Sequence, residues 1–178
     1  MENDKHLWPV NKKISQGILL NIDPKGSTLL IGVGSCSILD HLVKKMESKY
    51  KIDIIEKHKH LLDVAQEKYG EKCNYLNEEF LFCKLEKCYD NVISTIPFNE
   101  LPLNDIDRIF NKYFNVCNKN IIYFESKSLP VKNSYIKMII DNKNKSISET
   151  NGNHKWNLIV KKNYHNIPPV NLCILSKN

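Results

Sequence analysis

Hydrophobic and polar positions follow two different periods along the chain. A continuous apolar run covers residues 28–33, as expected for a strand that is buried on both faces. The block after it spaces Ile38, Leu42 and Met46 at helical intervals, so it predicts a helix over residues 38–46. The same change of period recurs further along the chain and predicts strands that alternate with helices.

Most of the remaining elements can be placed in the same way. Further strands are expected at residues 51–56, 74–76, 89–96 and 120–125, and further helices at residues 59–69 and 104–116, the latter capped by Asn104 or Asp105. Residues 132–141 fit a helix or a strand, and residues 156–162 and 171–175 fit strands. This order predicts an α/β fold, with a mostly parallel sheet covered by helices on both faces and two closing strands, one of them antiparallel.

The length of 178 residues fits a single domain with one continuous core. We expect an N-terminal helical segment over residues 1–26 and an α/β core over residues 27–178. The sequence shows no apolar run of the roughly 18–20 residues that cross a bilayer, and it does not begin with a signal-peptide pattern. A cytoplasmic location is therefore expected.

Charge and cysteine content narrow the function only a little. The net charge of +6 favours anionic partners, although a composition rich in lysine and asparagine produces such a charge without any binding role. The six cysteines are scattered singly, without the closely spaced pairs that are typical of zinc sites. No metal is therefore expected, and the thiols fit a reducing compartment.

The stretch LLIGVGSCS at residues 29–37 is the first candidate for binding chemistry. Gly32 and Gly34 follow the first strand, where glycine lets the backbone approach a ligand closely, and Ser35 lies where the next helix opens. Glu56 ends the second strand, where a carboxylate can accept hydrogen bonds from ribose hydroxyls. Together these features indicate an adenosine-containing ligand, and both a dinucleotide and S-adenosylmethionine remain open.

Two further segments resemble a known family. Residues 94–98 read Ser-Thr-Ile-Pro-Phe after an apolar strand, and residues 166–169 read Asn-Ile-Pro-Pro before the last strand. These segments resemble class I S-adenosylmethionine-dependent methyltransferases, and most of all the bacterial phospholipid N-methyltransferases. Tyr123-Phe124-Glu125, Ser128-Leu129-Pro130 and Trp8-Pro9 stand where that family has an aromatic strand end, a Ser-Pro loop and an N-terminal helix.

The resemblance implies a single-domain Rossmann-like fold with a seven-strand sheet, S-adenosylmethionine as the cofactor and an amine as the methyl acceptor. The acceptor that it favours is a phospholipid headgroup such as phosphatidylethanolamine, reached through the amphipathic segment Ile14–Leu20 resting on an anionic membrane surface. The residues expected to bind the cofactor are Gly32, Gly34, Ser35, Glu56, Glu78 and Ser94. The residues expected at the reaction centre are Ser94, Thr95, Tyr123 and Asn166.

The glycine turn departs from the family at two positions. Leu30 stands where the family has an acid that helps to hold the methionine ammonium group, and Cys36 stands where it has a third glycine. The cofactor site is therefore expected to be complete on the ribose side and weakened on the methionine side.

Two alternatives stay open. The first is an RNA adenine N6-methyltransferase related to the rRNA dimethylases, in which Phe98 would stack on the base; Thr95 stands where those enzymes need an asparagine or aspartate. The second is a non-catalytic module that binds S-adenosylmethionine without turning it over.

Overall fold

The computed structural model describes residues 12–47, 49–126, 130–150, 152–166 and 169–178. Within these ranges the strands are β1 (Thr28–Ile31), β2 (Ile52–Ile55), β3 (Cys73–Leu76), β4 (Tyr89–Ser94), β5 (Cys117–Ser126), β6 (Trp156–Asn166) and β7 (Pro169–Lys177). The α-helices are α1 (Lys12–Leu19), α2 (Ser37–Lys45), α3 (Lys59–Tyr69), α4 (Leu103–Val116) and α5 (Pro130–Glu149). Single 3₁₀ turns cover Gly70–Lys72 and Phe98–Glu100.

The predicted alternation of strands and helices is confirmed, with differences at the element ends. The ambiguous block at residues 132–141 lies inside the long helix α5. The predicted cap of α4 is wrong, because the helix begins one residue earlier and is preceded by Pro102. Asn104 and Asp105 therefore lie in its first turn, where the carboxylate of Asp105 still interacts favourably with the positive end of the helix dipole.

The strands form one seven-stranded sheet in the order β3-β2-β1-β4-β5-β7-β6. Strands β1 to β5 pair in parallel, whereas β7 is antiparallel to both of its neighbours, β5 and β6. The predicted mostly parallel sheet is thus confirmed. The order reverses direction between β1 and β4, and in open α/β sheets ligands bind beyond the carboxyl ends of the strands at such a switch point.

Helices cover both faces of the sheet. Neighbouring residues of β1 point to opposite faces, as they do in any strand: Ile31 packs in a core cluster with Phe110 of α4 and Ile136 of α5. Leu30 packs in a second cluster with Ile18 of α1 and Leu39 of α2. Strand β1 is consequently buried on both sides, and in the part of the chain that the structure describes its carboxyl end is where a cavity can form.

Helix α1 has its apolar face buried in the core. The side chains of Ile14 and Ile18 are 3% and 1% exposed, whereas Leu20, just after the helix, is 78% exposed. This face therefore covers the second core cluster and is not presented to a membrane. Trp8 and Pro9 lie outside the described residues, as do Ser128 and Leu129. None of the helices in the described ranges has the length and apolarity needed to cross a membrane.

Candidate functional site

A cavity of about 410 Å³ opens at the carboxyl ends of β1, β2 and β4. Its volume lies within the range of roughly 300–1,000 Å³ that is common for small-molecule sites. Four segments form most of its wall: the glycine turn after β1, residues 55–58 at the end of β2, residues 78–81 after β3, and residues 95–97 with 100–101 after β4. Side chains of helices α2, α3 and α4 complete it. It therefore lies at the switch point of the sheet.

The glycine turn owes its shape to contacts with β2 and β4. The backbone of Gly32 has a φ of 80°, and a Cβ added there would lie 2.2 Å from Oγ1 of Thr95. That hydroxyl donates to the carbonyl of Gly32 at 2.9 Å, and the N–H of Gly32 donates to the carbonyl of Ile55 at 2.8 Å. Glycine is needed at position 32 because Thr95 packs where a side chain would be.

The turn then passes through two more left-handed residues. The φ angles are 50° at Gly34 and 61° at Cys36, which precedes helix α2. Residues other than glycine adopt this conformation at a cost of about 1–2 kcal/mol. The side chain of Cys36 is nevertheless buried, and burial raises the pKa of its thiol. Cys36 therefore keeps the backbone path of the turn while filling a small apolar site beneath it.

Glu56 is a buried carboxylate at the wall of the cavity. The residue is 5% exposed; Oε2 accepts the N–H of Val33 at 3.0 Å and Oε1 accepts the N–H of His58 at 2.8 Å. The two oxygens of a carboxylate offer about four acceptor sites, so two bonds leave capacity for a ligand. Glu56 thus joins the glycine turn to the end of β2 and keeps acceptor sites for hydroxyl groups.

Most of the charged residues in the described wall are acidic. Glu78 and Glu79 come from the loop after β3, and Glu100 comes from the loop after β4. Among the described residues of the wall there are then four carboxylates, counting Glu56, and one lysine, Lys57. The site is therefore rich in negative charge although the whole chain carries +6.

Five of the six residues predicted to bind the cofactor are brought together at the cavity. They are Gly32, Gly34, Ser35, Glu56 and Glu78, and Thr95 lies with them. Ser94 is different: it is fully buried, and its Oγ accepts the hydroxyl of Tyr113 at 2.6 Å. Side chains alternate along a strand, so Thr95 turns to the cavity while Ser94 turns to α4.

Tyr123 also lies in the core and not at the cavity wall. Its side chain is fully buried, and its ring meets those of Phe98 and Phe110 edge-on at 5.9 and 5.1 Å. The hydroxyl donates to Oε1 of Glu125 at 3.2 Å, and burial raises the pKa of Tyr123 well above its usual value. Tyr123 was expected to contact a ligand, whereas in the structure it lies in the core, away from the cavity wall. For Asn166 only the backbone, at the end of β6, is described.

Leu30, which stands where the resembling family has an acid, lies in the core and not at the cavity. Leu30 is fully buried and faces the cluster covered by α1 and α2, on the side of β1 away from Ile31, which lines the cavity. An acid at position 30 would lie in an apolar core. The described wall of the cavity therefore receives no group from this position.

Some residues of the site were missed by sequence reasoning. Lys57, His58, Glu100 and Leu101 line the cavity, and Asn77 ties two of its walls by donating to the carbonyls of Glu56 at 2.8 Å and Lys57 at 3.1 Å. Glu100 had an available signal, since it is the one acid between the end of β4 and the start of α4. The others become visible only when the strand ends are brought together.

Comparison with known proteins shows the fold. No protein-family model and no curated protein matches the sequence. Among solved structures, an S-adenosylmethionine-dependent methyltransferase from Clostridium acetobutylicum superposes with a TM-score of 0.70 at 10% identity, over 94% of this chain and 92% of that one. The N-methyltransferase NodS from Bradyrhizobium japonicum, in complex with S-adenosyl-L-homocysteine, gives 0.68 at 8% identity, over 94% and 89%.

A nucleic-acid enzyme is similar to the same extent. The 23S rRNA methyltransferase ErmE superposes with a TM-score of 0.65 at 12% identity, over 95% of this chain and 69% of the ErmE chain. At these identities the likeness concerns the fold alone. The chain has the class I methyltransferase fold: a single-domain Rossmann-like α/β structure with a seven-stranded, mostly parallel sheet.

Proposed function

We propose that this protein is an S-adenosylmethionine-dependent methyltransferase that acts on an amine. The observation that carries the proposal is the buried carboxylate of Glu56, which borders the cavity beside a glycine turn at the switch point of the sheet. The structural neighbours include an S-adenosylmethionine-dependent methyltransferase and an N-methyltransferase with bound S-adenosyl-L-homocysteine, which supports the same cofactor.

The residues present fit this cofactor on its ribose side. Glu56 keeps two acceptor sites after binding the N–H groups of Val33 and His58, and two ribose hydroxyls supply two donors. Gly32, Gly34 and Ser35 would lie along the rest of the ligand, and Glu78 or Glu79 would accept from the adenine amino group. The methionine side depends on backbone groups and on residues other than Leu30.

The walls of the cavity suit methyl transfer. When bound, S-adenosylmethionine would supply a methyl group on a positively charged sulfur. An amine lone pair would attack the methyl carbon in line, so that the N–C bond forms as the C–S bond breaks and S-adenosyl-L-homocysteine leaves. Ile96, Leu101 and Ile109 provide an apolar wall that excludes water. We assign Glu100 to accept the proton that the amine loses, because it lines the cavity on the same loop as Thr95 and Pro97.

The charge of the cavity favours a cationic amine as the acceptor. A cleft lined by one sign of charge concentrates ligands of the opposite sign, and four carboxylates against one lysine repel phosphate groups. Amines are protonated in solution and are therefore attracted to such a wall before they lose their proton. The acceptor can be a soluble amine or the amine of a phospholipid headgroup, and the experiment described below compares the two.

RNA adenine is disfavoured by two contacts. The aromatic residue after β4, Phe98, is 4% exposed and packs its ring 5.4 Å from that of Phe110, so it does not offer a face on which a base can stack. The hydroxyl of Thr95 is engaged with the carbonyl of Gly32 at 2.9 Å. An amide that accepts from an adenine amino group is replaced here by a residue that holds the glycine turn.

The test combines binding with transfer of a labelled methyl group. S-Adenosyl-L-homocysteine should bind the wild-type protein, and Glu56→Ala should weaken binding by about 1.5–3 kcal/mol, the range for hydrogen bonds to a charged group. The matched control is Glu67→Ala, an exposed acid on α3. Labelled S-adenosylmethionine is then offered with small amines, phosphatidylethanolamine vesicles and RNA.

The outcomes separate the candidates. Transfer to amines supports the proposal, transfer to vesicles alone assigns a lipid acceptor, and transfer to RNA alone contradicts the amine. Binding without any transfer would identify a non-catalytic module, for which the apolar Leu30 and Cys36 in the glycine turn are the supporting observation. Equal affinities of the Glu56→Ala and wild-type proteins would remove the basis of the cofactor assignment.

A further inference from the structure

Two lysines hold two walls of the cavity in the same way. Lys112 lies on α4 and Lys132 on α5, and neither lines the cavity itself. Each ammonium group donates to two backbone carbonyls that are three residues apart in a loop. One loop follows β3 and the other follows β4, and both supply residues of the cavity wall.

Lys112 holds the loop after β3. Its Nζ donates to the carbonyl of Phe80 and, at 2.6 Å, to that of Cys83; it also lies 4.6 Å from the centre of the Phe80 ring. The loop makes a tight turn here, since the N–H of Cys83 donates to the carbonyl of Glu79 at 3.1 Å. Glu79 and Phe80 line the cavity, so the contact of Lys112 fixes this wall from behind.

Lys132 holds the loop after β4. Its Nζ donates to the carbonyl of Leu101 at 2.6 Å and to that of Phe98 at 3.2 Å. Phe98 is the first residue of the 3₁₀ turn Phe98–Glu100, and Leu101 follows the turn. Glu100 and Leu101 both line the cavity. The position of Glu100 in the wall therefore depends on a side chain from a helix that comes some thirty residues later.

Physical chemistry explains why lysine suits both places. The carbonyls at the end of a helical turn form the negative end of its dipole. A carbonyl oxygen has two acceptor sites, so that of Phe98 can bind a lysine although it already accepts the N–H of Leu101 at 3.3 Å. An ammonium group has three donors and no acceptor, so one lysine can bind two such carbonyls at once and compensate the dipole. Lysine also spans the distance from a packed helix to a loop at the sheet edge, because its stem is long and apolar.

We propose that Lys112 and Lys132 are positioning residues that fix the two loops independently: Lys112 the cofactor wall at residues 78–81, and Lys132 the acceptor wall at residues 97–101. The assignment of each wall rests on the proposed function. The independence of the two contacts rests on the geometry alone, because the lysines lie on different helices and bind different loops.

The experiment compares Lys112→Met and Lys132→Met, which remove the donors and keep the apolar stem. Lys137→Met, an exposed lysine on α5, is the control. Hydrogen exchange is followed in peptides that cover residues 77–84 and 96–102. Lys112→Met should speed exchange at least tenfold in the first peptide only, Lys132→Met in the second only, and the control in neither.

Binding of S-adenosyl-L-homocysteine then separates positioning from general stability. We expect Lys112→Met to raise its Kd by about 5- to 20-fold and Lys132→Met to change it less than twofold, although each variant loses two hydrogen bonds to the carbonyls of its own loop. Lys112→Gln and Lys132→Gln, which keep an amide donor, should give smaller effects of the same pattern. These glutamine variants replace a methionine variant in the comparison if that variant fails to fold.

Three results would overturn the proposal: unchanged exchange in both loops, equal acceleration of both loops by either variant, or the same changes in Lys137→Met. Equal loss of affinity in both variants would overturn the division into a cofactor wall and an acceptor wall. If the wild-type protein does not bind S-adenosyl-L-homocysteine, the proposed function fails, whereas the exchange data still decide whether the lysines fix the loops.

Discussion

Polar side chains lie at both ends of the strands, which we call the amino edge and the carboxyl edge of the sheet, and the two sets find their partners differently. At the amino ends of the strands, Asn91 is fully buried, accepts the N–H of Asp23 at 3.1 Å and donates to Thr28 at 3.1 Å. Asp53 accepts the hydroxyl of Tyr89 and the amide of Asn74, both at 2.7 Å. These side chains form hydrogen bonds with one another and with neighbouring backbone groups, so contacts within the protein close the amino edge.

At the carboxyl ends the acids face a cavity instead. Glu56 uses two of its acceptor sites on backbone N–H groups, and Glu78, Glu79 and Glu100 lie in the wall around it. Polar residues at strand ends therefore indicate a site where they line a cavity, and not where they pack against one another. Sequence shows that both edges are polar, and only the contacts show which of them is open.

The largest effect is expected for Leu30→Glu. Leu30 lies near the carboxyl end of β1 yet faces the core, so a carboxylate there would be buried without a partner and should cost about 3–5 kcal/mol of unfolding free energy. Leu30→Met, which nearly conserves volume, should cost less than about 1.5 kcal/mol. Denaturant unfolding measures both. A folded Leu30→Glu protein that binds S-adenosylmethionine more tightly would show that position 30 reaches the open edge.

Asn91→Ala tests the closed edge. The substitution leaves the N–H of Asp23 and its neighbours without partners, and we expect a loss of about 2–4 kcal/mol in unfolding free energy. The Kd for S-adenosyl-L-homocysteine should stay within about twofold, because the cavity lies at the opposite ends of the strands. Asn111→Ala, at an exposed position on α4, is the control. A large loss of affinity with little loss of stability would contradict the division between the edges.

The smallest effect is expected for Glu125→Gln. This carboxylate belongs neither to the hydrogen-bonded polar residues of the amino edge nor to the acids of the cavity wall. Glu125 is 7% exposed, and its partner Tyr123 is a neutral phenol; burial raises the pKa of Glu125. Because the folded protein then binds this proton more tightly than the unfolded chain, stability falls as the pH rises from the ordinary glutamate pKa through the raised one, and it stays reduced above.

Glutamine removes this loss. We expect Glu125→Gln to be more stable than the wild type at neutral pH by about 1 kcal/mol, or roughly 2–4 °C in Tm, and to show a flatter dependence of Tm on pH. Glu149→Gln, an exposed acid on α5, should leave both unchanged. A Glu125→Gln protein that is less stable at neutral pH would indicate that the carboxylate is ionised and paired.

The fold was predictable from local patterns, and the site was predictable in part. Residues 28–33 and 59–69 show clear strand and helix periods, and the spacing between the glycine turn and Glu56 identified the open edge. Ser94 and Tyr123 were placed at the ligand by the resemblance to the family, and the sequence of a strand that is buried on both faces does not reveal which face meets a cavity. Lys112 and Lys132 were missed because their partners are backbone carbonyls, which leave no mark on the sequence.

The position of β7 has a consequence for how the sheet is assembled. Strand β7 follows β6 in the chain, yet it pairs with β5 along seven residue pairs, from Asn120↔Ser176 to Ser126↔Val170. Until those residues have been synthesised, β5 is an unpaired edge whose Ile121 and Ile122 are fully buried only in the finished sheet. Such late, non-local pairing slows folding, and it leaves the apolar, unpaired side of β5 able to associate with other chains. Trimming the last strand should therefore produce aggregation during expression before any question of activity arises.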